Sequence, residues 1–406
     1  MNLALDGLHV LSFGQVISAP SATRLLADLG ADVIKVEPRR GEMMRGISPV
    51  VEDRRGKVQS GFFTALNCGK RGLALNLKSP DGQSLCRRLA LEWADVIVEN
   101  FTPGTMAGFN LDYETLRPQK PTLIYASLTG YGVHSKQSHR RAYDLCVQSE
   151  AGLTIMNGEP GRSPHRVGYS VADYGAGRDL VVGILAALYH RDRSGEGLHL
   201  DVSMYDTCVS LTENAIPRYS LTGEISVGEG NRHPAASPHN LYPTRDGFIN
   251  IIAVENRLFR RLATVMDRVD LMDDPILGGT EGRRNHADEM DAIITAWTAG
   301  QTTAEIVKKL EEAGMPYGVL RDIRDVVEHD HTKEREMAPV VDQTDLGPVA
   351  VPGCPIKFAQ VPTGVRGPAP LLGQHNKQVL VTELGMSESE VTKLEEAFVL
   401  ASETGC

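Results

Sequence analysis

The sequence predicts an α/β protein: an open sheet with helices on both faces, and a second, smaller α+β domain. Three observations predict it. Short β-type runs alternate with helical stretches through the first half of the chain. The first two such runs are joined by a single helix, which implies a parallel βαβ unit. After about residue 215 the texture changes, and Gly and Pro crowd Gly223–Pro243.

Leu8–Phe13 is the first strand. Pro20 stands where a helix begins, a position that tolerates its missing N–H. Ala22–Leu29 is helical with Leu25, Leu26 and Leu29 apolar, and Gly30 stops it. Asp32–Glu37 is the second strand. Then come a strand at Gly72–Leu77, a helix at Pro80–Glu92, a strand at Asp95–Glu99, a short helix at Tyr113–Arg117 and a strand at Leu123–Leu128. Val171–His190 reads as a long, mostly apolar helix suited to a central position, and His199–Met204 as a strand. Beyond the Gly/Pro-rich stretch, the pattern predicts a strand at Phe248–Val254 and helices at Leu258–Val269 and Ala287–Ala299. Thr302-Thr-Ala-Glu305 is a capping box opening a helix over Ala304–Ala313. Residues 340–375 read as extended, and a last helix spans Glu388–Leu400. The domain boundaries expected are 1–215, 225–330 and a return at 340–406.

With 406 residues, 41% of them hydrophobic, the chain has ample material for a core. Its net charge of −10 makes it a poor generic binder of nucleic acid or anionic membrane, so neither is expected as a partner. The longest apolar run, Val181–Leu188, is far short of a membrane span, and the amino terminus does not read as a signal peptide. Cys68, Cys86, Cys146, Cys208, Cys354 and Cys406 form no C-x-x-C pair. Reduced thiols in a cytoplasmic or organelle-matrix protein are expected, with no metal.

A βαβ start ending in Glu37 suggests a dinucleotide, but that needs a G-x-G-x-x-G turn. Here the turn is Gly14-Gln-Val-Ile-Ser-Ala-Pro20, with one glycine, so NAD is not expected. No P-loop, H-E-x-x-H, G-x-S-x-G or EF-hand pattern is present.

A set of segments in fixed order carries more. They are Leu5-Asp-Gly-Leu-His-Val-Leu-Ser-Phe13, Ser18-Ala-Pro20, Leu29-Gly-Ala-Asp-Val-Ile-Lys-Val-Glu37, Asn67-Cys-Gly-Lys-Arg-Gly72 and Leu75-Asn-Leu-Lys78. Ala94-Asp-Val-Ile-Val-Glu-Asn-Phe-Thr-Pro-Gly104, Leu123-Ile-Tyr-Ala-Ser-Leu-Thr-Gly-Tyr-Gly132, Tyr143-Asp-Leu and Gly168-Tyr-Ser-Val-Ala-Asp173 follow. Gly183-Ile-Leu-Ala-Ala-Leu188, Gly197-Leu-His-Leu-Asp-Val-Ser203, Gly230-Asn-Arg-His-Pro234 and Leu372-Gly-Gln-His375 complete the set. Together they resemble the class III CoA-transferases, a family that includes formyl-CoA and carnitine CoA-transferases and α-methylacyl-CoA racemase.

The resemblance implies a Rossmann-like large domain holding both termini, a small domain from mid-chain, and an open-ring subunit in an interlocked homodimer. It implies that Asp173 is a nucleophile passing through a mixed anhydride and an aspartyl-CoA thioester, with coenzyme A arriving as acyl-CoA. Read from the residue pattern alone, an Asp before an apolar helix is a helix cap. CoA phosphates need local cations, for which Arg39, Arg40, Lys78, Arg140 and Arg141 stand available. Ile17, Ser18, Leu75, Asn76, Leu77, Lys78, Asn100, Phe101, Thr102, Arg141 and Tyr143 match family CoA contacts. This chain departs from the formyl-CoA transferases at Ile17, at Gly108 and in the loop Pro234–Pro238, which argues against formyl or oxalyl substrates. Ala236, Ser237, His239 and Asn240 lie where the resemblance implies acceptor contacts. The racemases carry His where this chain has Tyr143, and an unperturbed phenol titrates near 10, which favours transfer over racemisation. The stretch after Tyr143 resembles members that use dicarboxylates such as succinate. A CoA-binding protein without catalysis is the alternative from another class, and Asp173 in its motif speaks against it.

Overall fold

A computed structural model describes residues 3–402. The chain forms two compact units. One takes the chain up to Leu153, Arg166–Ile216 and the described residues from Asp330 on; the other takes Thr154–His165 and Pro217–His329.

The first unit runs β1 (His9–Ser12), α1 (Ser18–Asp28), β2 (Asp32–Pro38), a hairpin of β3 (Val50–Glu52) and β4 (Val58–Ser60), α2 (Gly61–Asn67) and β5 (Arg71–Leu75). It continues with α3 (Pro80–Arg88), β6 (Val96–Glu99), α4 (Thr105–Gly108), α5 (Tyr113–Leu116), β7 (Ile124–Thr129), α6 (Asp144–Glu150), α7 (Val171–Ser194), β8 (His199–Ser203) and α8 (Met204–Ser210). Its sheet has six strands in the order β5-β2-β1-β6-β7-β8, with every pairing parallel. Val10 pairs with Val33 on one side and Val96 on the other. Strands covered on both faces read as near-continuous apolar runs, and Val10, Leu11, Ile34, Leu73 and Ile97 are fully buried. Lys35 breaks that pattern: it is buried in the middle of β2.

The carboxyl-terminal segment returns to this sheet. Val379 and Leu380, on the helix Asn376–Leu384, join the core of Leu11, Leu73, Leu89 and Ile97. That helix is absent from the sequence reading, and residues 340–375 include a hairpin, Val340–Gln343 with Gly347–Ala350. The expected helix over Pro80–Glu92 is α-helical only to Arg88, then continues as a π-type turn over Leu89–Trp93 that buries Leu89, Ala90 and Trp93 together. The last helix ends at Glu396 rather than Leu400. Phe398 turns the chain at φ 57, the Asn76 N–H donates to the Val399 carbonyl at 2.8 Å, and Leu400 bridges Leu75.

The second unit carries an antiparallel sheet in the order Tyr317–Val319, Phe248–Ile252, His239–Pro243. Tyr242, Ile249, Ile251, Phe259, Ile294 and Ile306 form its core. The capping box at Thr302 and Glu305 is present with both reciprocal bonds. Among the described residues Cys68, Cys86, Cys146, Cys208 and Cys354 are free thiols, and no helix is long and apolar enough to cross a membrane. Cys406 lies outside the described residues.

Candidate active site

Loops leaving the carboxyl ends of β1, β6 and β7 converge on one cavity of about 290 Å³. This edge of a parallel sheet is where open α/β folds bind ligands. Ser18, Asn100, Phe101 and Thr102 line the cavity from the first two loops. Arg140, Arg141 and Tyr143 line it from the segment before α6, and Asp173 closes it from α7.

Asp173 is not a helix cap. The N-cap of α7 is Ser170, which places Asp173 in the first turn, and the Ala172 N–H is satisfied by Asp144 Oδ1 at 2.8 Å. Asp173 instead belongs to the buried stripe of α7, with Ala172, Ala176, Gly177, Leu180 and Ile184. That stripe faces α1, and Gly177 makes the approach close. A Cβ there would stand 2.4 Å from Ser21 Oγ and 2.8 Å from the Ser18 carbonyl. One helical turn earlier, the same crossing sets Asp173 against the start of α1. There the Ser18 hydroxyl and backbone N–H face the Asp173 carboxylate across the cavity that both residues line, and favour its ionised form.

Burial pushes the Asp173 carboxyl up to about 7, and the nearby Asp144 carboxylate pushes in the same direction, against the two Ser18 contacts. A carboxylate about half ionised near neutral pH, 9% exposed and facing a cavity, marks Asp173 as the candidate for chemistry at this site. Cys208 is nearby, but burial together with Asp144 and Asp173 pushes its thiol up to about 11, so it is no competing nucleophile.

The first turn is held by side chains. The Gln15 N–H donates to Asn100 Oδ1 at 2.9 Å, and Asn100 Nδ2 donates to the Gln15 carbonyl at 2.8 Å and to Ser18 Oγ at 3.2 Å. Val16 sits at φ 64, a left-handed conformation that costs a β-branched residue of the order of 1–3 kcal/mol.

The other expected CoA contacts are distributed along the same edge. Pro38 pairs with Leu75, so Arg39 and Arg40 leave β2 beside Asn76 and Lys78, which leave β5. These strand ends lie about 10–15 Å from the cavity at ordinary strand spacing. Ile17 and Leu75 are buried and Leu77 packs on the core, which leaves their backbones rather than their side chains at the edge. Arg140 is engaged by Glu150 and Gln137 and lies over the Tyr131 ring at 4.6 Å. Ala236, Ser237, His239 and Asn240 belong to the second unit. There the His239 ring stacks on His233 at 4.9 Å, and Asn240 Nδ2 donates to Asp291 at 2.8 Å. Sequence reasoning missed Asp144 and Glu42. The signal for Glu42 was Lys35, because an ammonium inside an apolar strand demands a buried partner.

A doubly covered parallel sheet, with a half-ionised carboxylate at its carboxyl edge and basic residues along that edge, defines an α/β protein with a candidate site for an anionic ligand. The chain belongs to CoA-transferase family III, which its sequence matches over residues 5–376. It is 37% identical over 383 residues to a succinyl-CoA:mesaconate CoA-transferase of Haloarcula marismortui, covering 93% of this chain and 96% of that protein. It is 35% identical over 381 residues to a succinate–glutarate CoA-transferase of Agrobacterium fabrum, covering 93% and 94%. Its fold matches a solved CaiB/BaiF family protein from Brucella suis with a TM-score of 0.83 at 30% identity, covering 93% and 99%. The chain is a CoA-transferase.

Proposed function

We propose that this chain moves CoA between succinyl-CoA, or a related dicarboxylyl-CoA, and a free dicarboxylic acid, with Asp173 as the covalent carrier. The observation that carries the reading is the Asp173 carboxylate: buried, about half ionised near neutral pH, and facing the cavity at the sheet's carboxyl edge. Family membership and the names of the relatives support the substrate class.

Ionised Asp173 attacks the thioester carbonyl, forming a C–O bond as the C–S bond breaks. The products are a mixed anhydride and CoA thiolate. The thiolate then attacks the Asp173 carbonyl of that anhydride and releases the free acid, leaving an aspartyl-CoA thioester. The acceptor carboxylate collects CoA by the same two steps in reverse, and Asp173 is regenerated. Each step exchanges an acyl bond, so no net proton or electron is consumed. The Ser18 N–H and hydroxyl are the donors that orient the carboxylate before attack and stabilise oxygen charge during it. The cavity takes the acyl-thioester end, while the rest of CoA runs along the strand ends past Arg39, Asn76 and Lys78, where the cations meet phosphate.

We also infer an interlocked homodimer. The face of α7 opposite its buried stripe leaves Val182, Leu185 and Tyr189 exposed, an apolar surface suited to a second copy. In tagged-and-untagged mixing, the dimer should exchange subunits over hours or longer. Hybrids within minutes would overturn the interlocked form.

The decisive experiment is intact-mass measurement after incubation with succinyl-CoA. A CoA-sized adduct that maps to Asp173, and transfers to added mesaconate or glutarate, is the expected result. An adduct elsewhere, or transfer that survives Asp173→Asn, would overturn it. The racemase reading is checked in the same tubes: no solvent deuterium should enter a 2-methylacyl-CoA.

A further inference from the structure

We infer that Glu42 is a positioning residue for CoA transfer: by holding the Val16 N–H it fixes the left-handed turn that aims Ser18 at Asp173. This rests on Asp173 being the covalent carrier.

Three consecutive residues of the first turn, Gly14 to Val16, are gripped by side chains from other elements. Lys35 Nζ, from the middle of β2, donates to the Gly14 carbonyl at 2.7 Å. Both backbone groups of Gln15 are bonded to Asn100. The Val16 N–H donates to Glu42 Oε2 at 2.7 Å, and Glu42 Oε1 pairs with Lys35 Nζ at 2.6 Å. One buried ion pair therefore holds the turn from both sides, and its side chains are 1% and 3% exposed.

Glu42 is itself held in place. Its N–H donates to Glu37 Oε1 at 3.2 Å, and Arg45 grips Glu37 through two bonds of 2.8 and 2.7 Å. Phe63 lies beneath the Lys35 ammonium and the Arg45 guanidinium, at 5.8 and 3.9 Å from its centroid.

An ion pair serving stability alone is replaceable by apolar groups and has no need to hold a strained peptide. This one holds a β-branched residue at φ 64, a conformation that valine abandons when unsupported. Two residues on, the Ser18 N–H and hydroxyl meet the carboxylate that does the chemistry. Relaxation at Val16 rotates the entry to α1 and moves both Ser18 donors off Asp173. Displacements of about 1 Å at such a contact cost up to about a hundredfold in rate.

The test shortens the grip without removing its charge. Glu42→Asp still neutralises Lys35, but its carboxylate is withdrawn from Val16. We expect kcat for succinyl-CoA to fall about 30-fold, while KM for succinyl-CoA stays within about threefold. The Asp173 carboxyl should also titrate higher, followed by the 13C shift of labelled aspartate and assigned by its loss in Asp173→Asn. The other groups facing Asp173 are Asp144 from α6, Tyr174 on α7 and Cys208 from α8, and all are untouched by the substitution. In a Val16→Gly background, where glycine takes the turn unaided, Glu42→Asp should cost less than about threefold.

If Glu42→Asp does not fold, 2-hydroxyisovaleric acid at position 16 replaces the Val16 N–H by an ester oxygen and leaves the ion pair intact. It should give the same loss and the same titration shift. A folded variant of either kind with wild-type kcat and wild-type Asp173 titration overturns the inference. So does a loss from Glu42→Asp that is equally large in the Val16→Gly background. If the wild type transfers CoA to no acid, the proposed function fails, and the titration comparison still decides the role of Glu42.

Discussion

Two carboxylates of this chain are built to opposite ends. In the second unit, Asp291 accepts from Arg232 Nε at 2.8 Å, Asn240 Nδ2 at 2.8 Å and the Tyr242 hydroxyl at 2.7 Å. A cation and two neutral donors converge on it, and its charge is spent on holding three segments together. In the first unit, Asp173 has among the described residues no cation beside it and only Ser18 to favour its charge, has lost most of its water, and faces a second carboxylate, Asp144. A structural carboxylate is surrounded by what it needs. Asp173, the proposed nucleophile, is kept short of partners and close to protonation at neutral pH, and the fold sustains it by fixing α1 and α7 around it. The difference separates residues whose loss should cost stability from those whose loss should cost rate.

The largest effect should come from exchanging the two. Asp173→Ala is expected to lower CoA transfer by at least about 10³-fold while CoA still binds, because the proposed CoA contacts lie along the strand ends, away from Asp173. Asp291→Asn should do the reverse. It removes the charge that holds the half-buried Arg232, which keeps only the exposed Asp288 as a partner, so it should lower stability by about 1–2 kcal/mol and keep kcat within a few-fold. Thermal unfolding and initial rates on both variants check this. Rates that fall alike in both would erase the distinction.

The next effect tests the crossing that brings Ser18 to Asp173. At Gly177 a Cβ would lie inside contact distance of the Ser18 carbonyl, an atom that cannot rotate away. Gly177→Ala should push α1 from α7, lower kcat about 10- to 100-fold and lower stability by about 1–3 kcal/mol. Wild-type kcat in a folded variant would show that the spacing is not critical to the chemistry.

A smaller effect isolates the like charge. Asp144 helps to raise the Asp173 carboxyl, so Asp144→Asn should lower it. With Asp173 as the proposed nucleophile, the wild-type rate should fall as pH drops through about 7, where its carboxyl protonates. In Asp144→Asn that acid limb should move to lower pH, with kcat at pH 8 within about tenfold of wild type. An acid limb that stays in place would assign the raised carboxyl to burial alone.

The frame around these residues was legible because its signals are local. Apolar runs such as Val96-Ile-Val98, and Val33-Ile-Lys-Val36 broken only by Lys35, announce strands covered on both faces, and the capping box at Thr302 announces a helix start. Asp173 was legible through its motif, although its residue pattern alone pointed to a cap. What stayed hidden depends on contacts distant in sequence. The turn at Val16 is held by Glu42 and Lys35, and the Ala172 N–H in the first turn of α7 is satisfied by Asp144, 28 residues away. The helix Asn376–Leu384 follows a Gly/Pro-rich stretch, and it buries Val379 and Leu380 against a core made by the other end of the chain. Pattern reading sees periodicity, and none of these features is periodic.

The smallest expected effect concerns the stability that Asp173 withholds. In the folded chain its carboxyl is raised from 3.8 to about 7, so the folded state holds that proton more tightly than the unfolded state does. Linkage then fixes the sign. The contribution of Asp173 to stability is fully present below about pH 4 and is lost progressively as pH rises to about 7. Above that pH a buried, ionised carboxylate remains as a constant cost. Each pKa unit corresponds to about 1.4 kcal/mol, which puts that cost at a few kcal/mol for a group this buried. Asparagine has nearly the same shape and stays neutral throughout, so it stands in for the protonated acid at every pH. Asp173→Asn should therefore unfold several degrees above the wild type at pH 8, and the gap should close as the pH is lowered to 5 and below. Asp291→Asn, which removes a satisfied charge, should unfold below the wild type at pH 8. Calorimetry of both variants between pH 5 and 8.5 separates the cases. A gap for Asp173→Asn that is constant with pH would mean that its carboxyl is not raised by the fold. A gap of opposite sign would make Asp173 a stabilising carboxylate like Asp291, and the contrast between the two units would be lost.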